Sequence, residues 1–560
     1  MFSKASLYSR TGILIGTAVA LPGLFACLDH PLKPVEYEAQ QEKQDSIALT
    51  VNKDVDILFV LDNSGSMGEE QATLAANFAS FIEVLEREEV AANYRIGVTT
   101  TDNGNPWCDG TGPEGGRLVA SSCRSRTQDF VFNGAMMIDA TDEACLSICP
   151  EEWTNIAIQP SAIEGSADMA ARPWIENIEG ATNLPDGLDT ITAFQCLGPQ
   201  GISGCGFEEH LESMYKALTR AETDGEESQG FLRSNAILSV VVVTDEADCS
   251  INKAHETIFL PDGNRVFWSN PEDGAPTSAV CWNAGVDCDL AAGTCVSANK
   301  DVDGNPAGSD DAAVLRPMNR YIDRVQEIED LKQDITPDQE VLVALIGGVD
   351  DTGNATYAAS QIDPSFQIDF GIGPGCESAA GRAVPPVRLR EFAEAFQVGD
   401  QQNMFSICNS DYSPALEAIA EAIADQVKPA CMPACVADTD PTTPETLDPQ
   451  CNLIQEAPQE GGGLETTTVP ACVGDNNDFP NDEVNVCFVA LVDGALDGSN
   501  SRQFANMDTS DDLSDYCANE GWNLEFILKR REGFPAPGGT AVKATCQLSQ
   551  SKAIDCPQLN

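Results

Sequence analysis

The sequence predicts an α/β fold: a doubly wound, mostly parallel sheet with two cysteine-rich insertions and a small disulfide-rich C-terminal segment. Three observations predict it. Asp56-Ile57-Leu58-Phe59-Val60-Leu61 is an apolar run that ends in Asp62. Ile237-Leu238-Ser239-Val240-Val241-Val242-Val243 is a second run, followed by Thr244-Asp245. Such runs read as strands buried on both faces, the habit of parallel sheets. Between them lie stretches with apolar residues at helical spacing, and the alternation continues to Val427.

Taken in order, the first strand leads into a helix whose core stripe is Leu74, Phe78, Phe81, Ile82 and Leu85. Tyr94 to Thr101 is the second strand. Residues 103–204 are too long for a connecting loop and read as an insertion holding Cys108, Cys123, Cys145 and Cys149, with Ile191 to Cys196 an edge strand near its end. Leu211, Met214, Tyr215 and Leu218 mark the helix before the Asp245 strand. His210 opens that helix among acids and reads as a surface residue. A second insertion, 247–311, holds Cys249, Cys281, Cys288 and Cys295. Met318, Tyr321, Ile322 and Val325 then mark a helix and Val341 to Ile346 a buried strand. Leu389, Phe392 and Phe396 mark another helix, and Met404 to Cys408 a short last strand. Ser413 before Pro414 reads as the cap of a closing helix whose core face is Leu416, Ile419, Ile423 and Val427. The main domain is therefore expected at 51–427. A Pro/Thr-rich linker follows at 428–450, then a cysteine-rich β module at 451–560 with Val484 to Val492 and Leu524 to Leu528 as strands.

The N-terminus reads as a targeting segment, 1–26. Lys4 and Arg10 precede an apolar stretch from Thr11 to Ala26, shorter than the roughly 20 residues that span a bilayer. Leu24-Phe25-Ala26-Cys27 resembles a bacterial lipobox, which implies cleavage before Cys27 and lipid on it. The other reading is ordinary signal cleavage, with Cys27 a structural cysteine. Residues 27–50 are polar and read as a tether. Of 21 cysteines, setting Cys27 aside leaves an even number. In an exported chain disulfides are the default for them, although sequence does not give their connectivity; close pairs such as Cys145/Cys149, Cys196/Cys205 and Cys431/Cys435 allow local loops. These features place the protein outside the cytoplasm, lipid-anchored to a bacterial outer membrane or cell surface.

Acids outnumber Lys plus Arg by 89 to 31, a formal charge of -58. That excludes a nucleic-acid partner, which needs a basic surface, and it opposes docking on anionic lipid except through an anchor. Only His30, His210 and His255 are present, and no His-Glu-x-x-His or Gly-x-Ser-x-Gly motif occurs, so the sequence does not read as an enzyme.

The chemistry is concentrated at Asp62-Asn63-Ser64-Gly65-Ser66. The end of a buried strand is where open α/β sheets hold ligands. Asp62, Ser64 and Ser66 offer oxygen donors only, the choice of magnesium and other hard cations. These residues resemble the metal-ion-dependent adhesion site, Asp-x-Ser-x-Ser, of the von Willebrand factor type A domain. The resemblance covers about Val51 to Val427 and skips the insertions. It implies a doubly wound sheet and divalent-metal-dependent binding of proteins, with Mg2+, or Mn2+ or Ca2+, at the site. The family's third-loop Asp matches Asp245. Its second-loop Thr has no counterpart in Gly201-Ile202-Ser203-Gly204-Cys205-Gly206-Phe207-Glu208-Glu209. Ser203 is placed first as the replacement donor, with the Glu208 or Glu209 carboxylate as the alternative. The partner implied is a protein that offers an acidic residue to the metal. A structural envelope protein with a vestigial site is the competing reading, and an exported hydrolase the more distant one. Asp301 to Asp311 alternates oxygen donors around Gly304, either a calcium loop or an acidic turn.

Overall fold

The computed structural model describes residues 46–556, excepting 52, 88–89, 135–136, 165, 179, 334–338, 428–430, 441–446, 459–463, 475–476, 493–512, 514–516, 518–520 and 532–540. The expected targeting segment, Cys27 and the tether up to residue 45 lie outside the described residues.

In chain order the elements that matter are β1 (Ser46–Val51), β2 (Asp54–Leu61), α1 (Gly68–Asn77), α2 (Ala79–Leu85), β3 (Asn93–Thr100), β4 (Ile175–Ile178), β5 (Ala181–Thr182), α3 (Thr190–Leu197), α4 (His210–Glu222), β6 (Ile237–Val243), α5 (Asn319–Gln333), β7 (Leu342–Gly347), α6 (Val387–Ala395), β8 (Met404–Ser406) and α7 (Ser413–Gln426). The central sheet runs β8-β7-β6-β2-β3-β4-β5. Its pairs are parallel from β8 to β3 and antiparallel at the β3–β4–β5 edge.

Alternation within the strands divides the core. Val55, Ile57, Phe59 and Leu61 of β2 join a cluster with Leu74 of α1, Phe81 of α2, Phe194 of α3 and Leu416 of α7. Leu58 and Val60 face the other way and join Leu211 and Met214 of α4, Val325 of α5 and Phe392 of α6. Both faces of the sheet are thus buried under helices, the reason β2 reads as a continuous apolar run. Asp56 interrupts that run and is fully buried. Its carboxylate accepts from the Arg233 backbone N–H at 2.6 Å and from Arg233 Nε at 2.8 Å, so the charge enters the core paired.

The edge strand is not where the sequence places it. Ile191 to Cys196 lies in helix α3, and the sheet is finished beyond β3 by Ile175–Ile178 and, at the edge, Ala181–Thr182. Asp189 decides this: its carboxylate accepts from the Thr192 N–H and hydroxyl at 2.8 and 3.0 Å, capping a helix that turns Ala193, Phe194 and Leu197 inward. At α7 the cap also differs. Ser413 is already helical, and its N–H goes to Asp411 Oδ1 at 2.9 Å.

The C-terminal segment forms β9 (Cys451–Pro458), β10 (Leu464–Val469), β11 (Val486–Leu491), β12 (Glu525–Arg530) and β13 (Ala541–Gln547). β11 and β12 pair as a ribbon. The other sheet has the order β1-β13-β9-β10, so Ser46–Val51, expected as the end of the tether and the first residue of the main domain, is one of its strands. The linker is also drawn in: Cys431 bonds Cys517 and Cys435 bonds Cys556.

All twenty cysteines other than Cys27 form ten disulfides. None of the three close pairs closes on itself; Cys145 bonds Cys123, Cys149 bonds Cys196 and Cys205 bonds Cys108. Such a complement belongs to an oxidising compartment. No helix among the described residues is long and apolar enough to cross a membrane.

Candidate metal centre

β2 and β6 are neighbours in register, Leu61 opposite Val243, so the residues that follow them emerge at one edge. The Asp62 N–H continues the pairing to Val243 O at 3.0 Å. Asp62 Oδ1 then accepts from the Ser64 N–H at 2.8 Å, which folds the loop back. Thr244 donates its hydroxyl to Asp62 Oδ2 at 2.7 Å. Ser64 Oγ and Ser66 Oγ are 3.3 Å apart, and Ser66 donates to Asp245 Oδ1 at 3.2 Å. Four residues singled out from the sequence, Asp62, Ser64, Ser66 and Asp245, are therefore joined by one hydrogen-bonded network.

Gln71 on α1 holds this loop against the next. Its Nε2 donates to Asp62 O at 2.9 Å and to Gly201 O at 2.8 Å, and its Oε1 accepts from the Gln200 N–H at 2.7 Å. Gly204 donates its N–H to Asn63 O at 2.8 Å and lies so close that a Cβ there would fall 2.2 Å from Asn63 Oδ1. Ser203 is half-buried beside this contact. Glu208, further along, is 1% exposed. Its backbone carbonyl accepts from the Cys249 N–H at 2.7 Å. Glu209 pairs with Lys253 through Oε1 at 2.7 Å, and its Oε2 is buried with no hydrogen-bond partner.

The electrostatics are those of crowded acids. Burial raises the Glu208 carboxyl well above its ordinary range, and Glu246 and Asp62 add to it. Asp245 is raised by burial, then by Asp62 and Glu70. Glu246 is raised by burial, then by Asp245 and Asp62. A proton is held on such groups, or a cation takes its place. Buried and without hydrogen-bond partners nearby are Glu208 Oε1, Asn63 Oδ1 and Thr101 Oγ1. Unmet oxygen acceptors beside buried carboxylates fit a hard cation with its waters. Among the described residues no group of three or more His, Cys, Asp and Glu side chains forms a metal cage. What Asp62, Ser64, Ser66 and Asp245 present is a mixture of carboxylates and hydroxyls.

His210 is not at the surface. It is completely buried, 3.8 Å from Asp62 Oδ2 through Nε2 and 3.8 Å from Asp248 Oδ1 through Nδ1. Burial opposes its charge, but Asp248 and Asp62 outweigh it and push the imidazole up to about 9. Asp248 is also paired with Arg388 at 2.9 Å. Sequence reasoning passed over Thr244, Gln71 and Glu246 as well. Thr244 and Glu246 flank Asp245 at the strand end, which is the one signal that marked them.

At the acidic turn, Asp301 Oδ1 accepts from the N–H groups of Asp303 and Asn305, both at 3.0 Å, and Gly304 has φ +79°. Asp350 makes the same bonds to Thr352 and Asn354 at 2.9 Å. In both loops a carboxylate oxygen closes the turn on its own backbone.

No family model matches the chain, and no curated protein matches it. Among solved structures it is similar to the pilus adhesin SpaC of Lactobacillus rhamnosus GG, at 9% identity and a TM-score of 0.25, over 90% of this chain and 42% of that one. The open conformation of SpaC gives 8% and 0.25, over 91% and 41%. The pilus adhesin RrgA of Streptococcus pneumoniae gives 11% and 0.25, over 90% and 58%. The chain spans less than two thirds of the length of each.

Proposed function

We propose that residues 51–427 form a doubly wound domain of von Willebrand A type, in an exported, lipid-anchored surface protein that binds a protein ligand through a divalent cation. The observation that carries this reading is the network joining Ser64, Ser66 and Asp245, with Asp62 tied in through Ser64 and Thr244. It places two acids and two hydroxyls at the carboxyl edge of adjacent parallel strands, with unmet acceptors around them. The strand order, with one antiparallel edge, supports the same reading.

Asp62, Ser64, Ser66 and Asp245 would hold magnesium, or manganese or calcium. Burial and charge favour Glu208 over Ser203 as the donor from the second loop. The ion, when bound, supplies an open coordination position that takes a carboxylate from the partner. The residues of the chain do the positioning. Thr244 orients Asp62, Ser66 steers Asp245, and Gln71 fixes the first loop against the second. A carboxylate in the second loop lowers the charge left for an acidic ligand, so basic residues around the partner's acid would offset the negative field of this protein.

Titrating the chelator-stripped chain with Mg2+ and Mn2+ tests the reading. Wild type should bind, and Asp62→Ala or Ser66→Ala should lose at least about tenfold in affinity at unchanged fold. Equal binding by wild type and both variants, or none by wild type, overturns the adhesion site and leaves a structural envelope role.

A further inference from the structure

We infer that the groove along α1 takes a lysine or arginine side chain of the protein ligand, beside the acid which that ligand gives to the metal. This deepens the reading of the strand-end site and rests on it. The groove has a volume of about 490 Å3. Its acids are Glu69 and Glu70, in the first turn of α1, and Glu143 of the first insertion. Ile148, Ile407 and Tyr412 supply apolar lining. Tyr412 gives its hydroxyl to Ile407 O at 2.8 Å, which leaves the ring as the surface it offers. Apolar lining beside carboxylates matches the build of Lys and Arg, a hydrocarbon stem that ends in a cation.

Charge complementarity identifies the occupant. No Lys, Arg or His is among the described residues that line the groove. Arg382 stands beside Gly381, which flanks Glu70, but is committed to Asp363 at 2.8 Å. Arg124 of the insertion is committed to the backbone carbonyls of Leu146 and Cys149. Glu70 Oε2 is buried with no hydrogen-bond partner. Its Oε1 lies 3.2 Å from where a Cβ on Gly381 would stand, so the hairpin of Cys376–Glu377 and Arg382–Ala383 comes up against this carboxylate. A buried acceptor left unmet is costly, and an amine or guanidinium would meet it. A metal ion is the wrong occupant, because the three carboxylates form no metal cage. Position ties the groove to the strand-end site. Glu69 is three residues beyond Ser66, so their Cα atoms are at most about 11 Å apart. In an extended ligand, a basic residue within about three positions of the acid spans that distance.

The test uses the full chain loaded with Mg2+ and short peptides that carry one Asp and, within three positions of it, one Lys. Each is paired with the same peptide holding norleucine for Lys, which keeps the stem and removes the charge. Binding is read by calorimetry. In wild type the best Lys peptide should bind at least about fivefold more tightly than its norleucine partner. Glu69 and Glu143 are both exposed, so the double variant Glu69→Gln/Glu143→Gln should fold. In it the two peptides should bind within about twofold of each other, with Mg2+ affinity unchanged. Equal affinity for the pair in wild type, no binding of either, or a Lys preference that survives in the variant overturns the groove and leaves the metal site intact. So does N-acetyl-lysine amide binding as tightly as the best peptide, which would make the groove a small-molecule site. No uptake of Mg2+ by wild type overturns the metal site, and the inference with it. The wild-type pair alone decides the matter if the variant misfolds.

Discussion

Thr244 shows how much one hydroxyl controls at this site. It donates to Asp62 Oδ2 at 2.7 Å and accepts from the Glu246 N–H at 3.0 Å, so it fixes one acid and places the next. Thr244→Val keeps the shape and removes both bonds. Metal affinity should fall about 10- to 100-fold, the usual cost of losing an orienting partner, and calorimetric titration would show it. Glu70 gives a pH signature. Burial, with Glu69, Asp62 and Glu143, pushes its carboxyl up to about 7 from 4.5. A raised acid stabilises the fold at low pH, and the benefit is lost as pH rises from about 4.5 through 7. Glu70→Gln should remove that slope and raise metal-free stability at pH 8 by at most about 3 kcal/mol, measured by denaturant titration at several pH values. Asp62, Ser64 and Ser66 were legible because they sit at alternate positions straight after a buried run, and Asp245 because it ends another. His210 was not. A histidine among acids on a helix looks solvated in one dimension, and only the packing of α4 over β2 buries it between Asp62 and Asp248.

At the scale of elements, α1 carries the loop that the site depends on. Gln71→Ala would strand Asp62 O, Gly201 O and the Gln200 N–H in a buried place. We expect roughly 2–4 kcal/mol of destabilisation and weaker metal binding, read from chemical denaturation and titration of the same variant. Gly204→Ala should separate the two effects. Its Cβ would push Asn63 away from the second loop while the sheet stays intact, so affinity should fall more than stability. The strands of the central sheet were legible because both faces are buried, which leaves an unbroken apolar run in β2 and β6. The edge was misread at Ile191 to Cys196. β-branched residues suggest a strand there, and the bonds from Asp189 that make it a helix are a single local event with no periodicity. The second-loop donor was ambiguous for a related reason: Ser203, Glu208 and Glu209 are all polar, and a sequence does not say which of them faces the strand end.

For the whole molecule, ten disulfides consume every cysteine but Cys27. Thiol titration in denaturant without reductant should find no more than one reactive thiol per chain, and none if Cys27 carries lipid. Mass spectrometry of the mature N-terminus would distinguish lipid from a missing thiol, and an unmodified Cys27 there would contradict the anchor. That most cysteines would pair was readable from their even number. Their partners were not, because Cys108 and Cys205 are 97 residues apart and meet only when the insertion returns to the sheet. The early strand β1 has a mechanical consequence. Its six residues run antiparallel to β13, and β13 is stapled to β9 through Cys451–Cys546. The chain passes from Val51 into β2, which ends at the Asp62 loop. Tension applied ahead of Ser46 and resisted at that loop would draw β1 lengthwise along β13. The hydrogen bonds would then be sheared together instead of peeled one by one, against a strand that a covalent bond keeps from sliding.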